Sequence, residues 1–152
     1  MLDLRNCDCM DLMREFPDKH FELAIVDPPY GIGFDGEVKS MVGDHGKGYK
    51  RKDWDSTPPG LEYFNELRRV SRNQVVWGAN HFISRIPFDS PCWIVWDKQN
   101  TMPTFGDCEL AWTNLDRHSV KKYSIVYFIH IFDLLVTGLR VTTMKPIIGY
   151  LI

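Results

Sequence analysis

The residues with the clearest chemical potential in this chain are an acid, two prolines and a tyrosine at Asp27, Pro28, Pro29 and Tyr30. They directly follow a nearly continuous apolar run, Phe21–Val26, which is typical of a strand buried in a parallel sheet. In open α/β sheets, ligands bind beyond the carboxyl ends of the strands. The four residues therefore lie where a binding site is expected.

These residue types are suited to binding a planar group that carries an amine. Prolines fix the backbone and donate no N–H, so the neighbouring carbonyls are rigidly held acceptors. The Asp27 carboxylate adds another acceptor, and Tyr30 offers a flat face for stacking. The exocyclic amine of a nucleic-acid base fits this set once the base is flipped out of a duplex. The alternative is a rigid turn between a strand and a loop, without chemistry.

The composition is that of a single domain with an ordinary core, since the chain has 152 residues of which 44% are hydrophobic. A formal net charge of -2 excludes a global basic field, so contact with a polyanion must come from a local cluster. The cysteines have no zinc-knuckle spacing, and no metal site is expected. The N-terminus has no secretory signal pattern, which predicts a cytoplasmic location with reduced thiols.

The periodicity of the chain predicts alternating helices and strands, the pattern of an α/β fold. Helices are expected at Cys9–Phe16 and Leu61–Val70, and the buried face of the second is predicted to contain Leu61, Phe64, Leu67 and Val70. The other predicted elements are strands at Leu2–Arg5, Gln74–Trp77, Cys92–Trp96 and Cys108–Thr113, and a short helix or turn at Phe82–Ile86.

Residues 31–59 show no periodicity and are predicted to form a mobile loop, hinged at Gly31-Ile32-Gly33. Basic residues in this loop flank Tyr49 and Trp54, a combination that favours contact with DNA phosphates over a merely solvated loop. The basic residues proposed to bind DNA are Lys47, Lys50, Arg51 and Lys52.

The segment Tyr123–Leu139 is apolar at most positions. It contains His130 and Asp133, and charge within a bilayer is costly, so a buried strand or helix is favoured over a membrane span. The three tryptophans Trp93, Trp96 and Trp112 are expected in the core rather than on stacked bases.

Several stretches, in the same order, resemble the amino-group DNA methyltransferases, which methylate adenine N6 or cytosine N4 with S-adenosylmethionine. The resemblance covers about Met1 to Arg117 and rests on NCDCMDLMREFPDKHFELAIVDPPYGIG, YKRKDWDSTPP, ELRRVSRNQVVWGANHF, PCWIVWDKQN and GDCELAWTN. It implies a class I (Rossmann-like) methyltransferase fold. It also implies a site-specific bacterial or phage enzyme of DNA methylation or restriction-modification that acts on double-stranded DNA, with adenine N6 favoured.

The resemblance further implies roles for individual residues. Asp27 and the backbone of Pro28 would hold and polarise the target amine, within a turn that Pro29 makes rigid. Tyr30 would stack on the flipped base.

For the cofactor, Asp8 matches an acidic position near its adenine, with Cys9 beside it, and Asp27 lies near its reactive end. A cap for the following helix is the other interpretation of Asp8, and the two can coexist. Lys145 and Pro146 weakly resemble the Lys-Pro segment that precedes the family's cofactor loop.

Residues 118–152 depart from the family pattern, because the Phe-x-Gly-x-Gly loop and the ribose-binding acid do not appear before Ile152. The expectation is a single partial catalytic domain over residues 1–152, incomplete at the C-terminus, that binds S-adenosylmethionine weakly by itself. It would act as a methyltransferase if a second chain completed it, or persist as an inactive remnant that binds DNA. RNA adenine and protein glutamine methylation are further alternatives, but those enzymes usually carry Asn at the position of Asp27, which favours DNA.

Overall fold

A computed structural model describes residues 5–33, 55–99, 106–115, 119–124 and 147–150, the last of these by backbone alone. The elements in these ranges are α1 (Cys9–Arg14), β1 (Phe21–Val26), α2 (Leu61–Val70), β2 (Ser71–Trp77), the 3₁₀ helix η1 (Ala79–His81), β3 (Trp93–Asp97), β4 (Cys108–Thr113), β5 (Lys121–Ser124) and β6 (Ile147–Tyr150). The strand predicted at Leu2–Arg5 lies, apart from Arg5, outside the described residues.

The six described strands form one mixed sheet in the order β5-β3-β4-β2-β1-β6. Strand β1 lies between β2 and β6 and runs parallel to both, with Val26 opposite Val76 and Tyr150. Strand β4 runs antiparallel to β2 and β3, and β5 runs parallel to β3. The predicted α/β class and the parallel setting of β1 are therefore confirmed.

Strand β1 is apolar at every position except Glu22, because both of its faces are buried. Leu23 and Ile25 pack into one core cluster, and Ala24 and Val26 pack into another on the opposite face. These four side chains are at most 2% exposed. This is the burial expected of a strand inside a parallel sheet, and it gives the segment after Val26 a rigid base.

Helix α2 packs on the sheet through a face that differs in one position from the prediction. Its buried residues are Tyr63, Phe64, Leu67 and Val70, whereas Leu61 is 48% exposed. At about 100° per residue, Leu61 lies about 120° around the helix from Leu67, and Tyr63 lies only about 40° away. The prediction that Leu61 shares the buried face is therefore wrong, and Tyr63 takes its place.

Strand β2 begins at Ser71, directly after the last residue of α2 and earlier than the predicted start at Gln74. The Ser71 hydroxyl donates to the Leu67 carbonyl, and Ser71 stands opposite Phe21 in the sheet. The polar residues at the start of β2 join the ladder through backbone groups, which need no apolar side chains. The apolar pattern therefore missed the first three residues of this strand.

After η1, the chain turns at Phe82, whose carbonyl accepts from the Arg85 N–H at 2.7 Å and from the Ile86 N–H at 3.0 Å. Of the two predicted possibilities for Phe82–Ile86, a turn is thus confirmed, and the short helix lies just before it. Phe82 itself is fully buried against Phe64, which fixes the turn to the core.

Of the apolar run Tyr123–Leu139, only Tyr123 and Ser124 are described, at the end of β5. The rest of the run lies outside the described residues, so the choice between a buried element and a membrane span stays a prediction. Among the residues that the structure does describe, no helix is both long enough and apolar enough to cross a bilayer.

Candidate active site at the end of strand β1

The site predicted from the sequence lies where two parallel strands end side by side. Val26, the last residue of β1, stands opposite Val76 of β2, and β2 ends one residue later at Trp77. The segment that follows β1 therefore emerges next to Gly78, at the start of the segment that follows β2. The register brings together two stretches that are far apart in the sequence.

Asp27 and Tyr30 are in direct contact at this edge of the sheet. The Tyr30 hydroxyl donates a hydrogen bond of 2.7 Å to Oδ1 of Asp27. Both side chains are half-buried. The carboxylate thus has one oxygen engaged by the phenol, while its second oxygen has the capacity to accept another donor.

The site perturbs both ionisable groups. Burial raises the pKa of Asp27, and the charge of Glu109 adds to this, whereas the Tyr30 hydrogen bond and Lys98 act in the opposite direction. Burial also raises the pKa of Tyr30 far above its ordinary value, helped by its hydrogen bond to Asp27. Tyr30 is therefore a neutral donor, and Asp27 is a carboxylate of increased basicity.

The Tyr30 ring is enclosed by residues that follow β2. The His81 imidazole stacks on it with ring centroids 4.8 Å apart and planes 8° apart, and the Phe82 ring meets it at 6.0 Å and 60°. Gly78 has a positive φ of 63°, and a Cβ there would lie 2.2 Å from Cε1 of Tyr30. A side chain at this position would collide with the ring, so glycine is required both for the turn and for the close approach.

Sequence reasoning gave no role to His81, yet the structure places it on Tyr30. A usable signal was present, because both strands were predicted and parallel strands end at the same edge of a sheet. Aligning the ends of β1 and β2 would have placed Gly78–Phe82 beside Asp27–Tyr30.

Asp55 holds the two ends of the segment between residues 33 and 55 together. Its side chain accepts from the Gly31 N–H at 2.9 Å, and its carbonyl accepts from the Gly33 N–H at 3.0 Å. Asp55 is only 2% exposed. Gly31 and Gly33 have φ values of 72° and 71°, which is the left-handed conformation expected of the predicted hinge glycines.

Asp8 caps helix α1, as one of its two interpretations predicted. Its carboxylate accepts from the Met10 N–H at 2.7 Å and from the Asp11 N–H at 3.2 Å. Burial raises the pKa of the Cys9 thiol, and the charge of Asp8 raises it further, so this thiol stays protonated at neutral pH. Both hydrogen bonds of Asp8 serve the helix, and a contact of Asp8 or Cys9 with a cofactor stays a proposal.

The tryptophans expected in the core are packed as predicted. Trp112 is 6% exposed and belongs to the core, while Trp93 and Trp96 are half-buried against it. Trp112 and Trp93 donate their indole N–H groups to backbone carbonyls, both at 3.1 Å. These two bonds hold the rings of Trp93 and Trp112 in the fold, and the expectation that no base stacks on the three tryptophans stays a prediction.

Two groups of predicted site residues lie outside the described residues. They are the basic residues Lys47, Lys50, Arg51 and Lys52 and the pair Lys145 and Pro146. Among the residues that are described, no group of three or more His, Cys, Asp or Glu side chains could hold a metal ion.

No family model matches the chain. The type II methyltransferase M.HinfI of Haemophilus influenzae is 27% identical over 116 residues, which cover 65% of this chain and 32% of the relative. This similarity supports a methyltransferase family. The chain spans about a third of the length of this relative.

Asp27→Asn should raise the free energy of unfolding at pH 7, because the ionised carboxylate at this position destabilises the folded protein. Because the pKa of Asp27 is raised in the folded protein, its ionised form opposes folding above the unfolded-state pKa of about 3.9. Asparagine keeps an oxygen for the Tyr30 hydroxyl without the charge. The advantage of the variant should be complete above the raised pKa and vanish as the pH falls to about 4.

Urea unfolding at pH 7 and pH 4 measures this difference. Asp89→Asn is the matched control, since Asp89 is exposed. An Asp27→Asn variant that is less stable than the wild type at pH 7 would show that the carboxylate serves the turn rather than a ligand.

Proposed function

We propose that this chain contains the base-binding part of a DNA methyltransferase, which transfers a methyl group from S-adenosylmethionine to the exocyclic amine of a flipped base, with adenine N6 favoured. The observation that carries the proposal is the Asp27–Tyr30 pair, joined by a hydrogen bond of 2.7 Å at the carboxyl end of β1. The similarity to a type II methyltransferase supports the same reaction class. A purely structural turn would not need a half-buried carboxylate of raised pKa.

The chemical difficulty of this reaction is the low nucleophilicity of an aromatic amine, whose lone pair is delocalised into the ring. In the proposed complex, Asp27 and the carbonyl of Pro28 accept from its two N–H groups, which favours a pyramidal nitrogen with a localised lone pair. The Tyr30 hydroxyl fixes the orientation of the Asp27 carboxylate. Fixed orientation of the reacting groups contributes a large part of the acceleration in such transfers.

When bound, S-adenosylmethionine supplies an electrophilic methyl group on a sulfonium cation. The Asp27 carboxylate is the negative charge that would face such a cation, since Glu109 is paired with Lys98. Asp8, Cys9 and Asp27 are the described residues that would hold the cofactor, and Lys145 with Pro146 would add to them.

Methylation leaves the nitrogen with four bonds and a positive charge, so one of its N–H protons must leave. Asp27 accepts a hydrogen bond from this amine in the proposed geometry and is therefore positioned to receive the proton. Burial gives its carboxylate a raised pKa, which makes it a better base than an exposed aspartate.

We also propose that the basic residues of the 31–59 segment bind the phosphates of the duplex. Replacing Lys50, Arg51 and Lys52 together by glutamine should weaken binding to all DNA sequences alike. The slope of log affinity against log salt should become less steep by about 0.9 for each phosphate that the variant no longer neutralises.

Fluorescence anisotropy with a labelled duplex at several salt concentrations measures this slope. Lys19, which bonds to the carbonyls of Arg68 and Ser71, supplies the control variant Lys19→Gln, since it removes one positive charge elsewhere. An unchanged slope in the triple variant would show that these residues only keep the segment solvated.

The reaction itself is tested by incubating the protein with duplex DNA and cofactor that carries an isotopically labelled methyl group. Mass spectrometry of the digested DNA should then show labelled N6-methyladenine, or N4-methylcytosine if the target is cytosine. A parallel incubation with RNA separates the two nucleic acids. If DNA that was incubated with the protein contains no labelled nucleosides, the proposal is contradicted.

A further inference from the structure

The stacking of His81 on Tyr30 is not explained by any role considered so far. The imidazole lies parallel to the Tyr30 ring at 4.8 Å. Its backbone is fixed by the 3₁₀ turn, where the His81 N–H donates to the Gly78 carbonyl at 2.9 Å. The side chain itself is exposed. In the described part of the chain, the contacts of the imidazole are with the rings of Tyr30 and Phe82.

The environment of Tyr30 is asymmetric. Its hydroxyl is bound to Asp27, its edge faces Gly78, and the fully buried Phe82 supports it from the core. His81 is the exposed member of this group, so it covers Tyr30 on the side that faces solvent. A planar ligand from solution that stacks on Tyr30 must meet the imidazole first.

We infer that the His81 imidazole occupies the position of the substrate base in the free protein. It covers the stacking face of Tyr30 and is displaced when a base enters. This inference rests on the function proposed above. A rotation of the His81 side chain into solvent frees the ring without disturbing Phe82 or the sheet. The imidazole also makes the site selective, because an incoming ring must stack better than the one it replaces.

The same argument favours a purine over a pyrimidine. Stacking strength grows with the area of the overlapping rings, and a bicyclic purine covers more of a tyrosine ring than an imidazole does. A single-ring base has little advantage over the imidazole. Of the two proposed target bases, adenine and cytosine, competition with His81 therefore favours adenine.

The displacement can be followed directly by nuclear magnetic resonance of the isotopically labelled protein. The Cδ2 and Cε1 protons of His81 should be shifted upfield by the Tyr30 ring in the free protein. Titration with adenosine at constant pH should move them towards the values of an unstacked histidine, together with the amide of Gly31. His81→Ala assigns these signals.

Two substitutions distinguish a His81 that competes with the base from a His81 that supports the Tyr30 ring. His81→Ala removes the competing ring and should tighten adenosine binding about two- to tenfold, the worth of one ring stack. His81→Phe places a more strongly stacking ring on Tyr30 and should weaken binding by a similar factor. The matched control is His20→Ala, because His20 is an exposed histidine stacked on Phe16 and lies at the opposite end of β1.

Each other result overturns the inference in a distinct way. If His81→Ala weakens binding and His81→Phe restores it, His81 supports Tyr30 rather than competing with the base. If adenosine shifts the Gly31 amide while the His81 signals stay fixed, the inference is wrong and the proposed base site stands. If adenosine binds to neither the wild type nor His81→Ala, the proposed base site and the inference are both wrong.

Discussion

Asp27→Asn should lower the rate of DNA methylation by about 100-fold or more, while the protein stays folded. Asparagine replaces one carboxylate oxygen by an NH₂ group, which meets the target amine donor to donor. Removing a single preorganised hydrogen-bonding group that stabilises a transition state typically costs about 100- to 1,000-fold in rate. Single-turnover transfer of a labelled methyl group to DNA measures the chemical step.

Two further variants test whether the reduced rate is specific to the Asp27 carboxylate and to its orientation. Asp89→Asn changes an exposed carboxylate and should leave the rate unchanged. Tyr30→Phe keeps the ring but removes the hydroxyl that orients Asp27, so its effect should be smaller, about tenfold. An Asp27→Asn variant that retains more than a tenth of the activity would exclude Asp27 as the residue that activates the amine.

Phe82→Ala should lower the free energy of unfolding by about 3–5 kcal/mol, the usual cost of removing a fully buried phenylalanine. Phe82 is 0% exposed and contacts the rings of Phe64 and Tyr30. The cavity would therefore open between the core and the site, and the Tyr30 ring would lose its inner support. Urea unfolding of the purified variant measures the change.

Phe82→Leu retains most of the volume and should cost much less, about 1–1.5 kcal/mol. Ile83→Ala is the neighbouring control, because Ile83 is 65% exposed and its removal should change stability by less than about 0.5 kcal/mol. If the alanine variant at Phe82 were destabilised by less than about 1 kcal/mol, Phe82 would not be the link between core and site.

The parts of this fold that were predicted well from the sequence are those in which the residues within or next to one element determine its structure. The apolar run of β1, interrupted only by Glu22, predicted both the strand and its parallel setting, because burial on two faces leaves few polar positions. Asp8 marked the start of α1, and the site followed from the place where β1 ends. In each of these cases, neighbouring residues contain all the information that is needed.

The parts that were missed depend on contacts between distant residues. Gly78 and His81 reach Tyr30 only through the register of β1 with β2. Asp55 acts through backbone groups of Gly31 and Gly33, which no side-chain pattern reveals. The polar start of β2 is hidden for a similar reason, since it pairs through its backbone.

The position of β1 between β2 and β6 has a consequence for the chain as it leaves the ribosome. Leu23 pairs with Asn73 on one side and with Ile147 on the other, so the second partner is made long after the first. At about 5–20 residues per second, the edge of β1 that receives β6 stays open for several seconds or more during synthesis. An open apolar edge is a template for pairing with another chain. During synthesis, the strand that ends at Asp27 therefore offers an unpaired edge to which another nascent copy on a crowded polysome can pair.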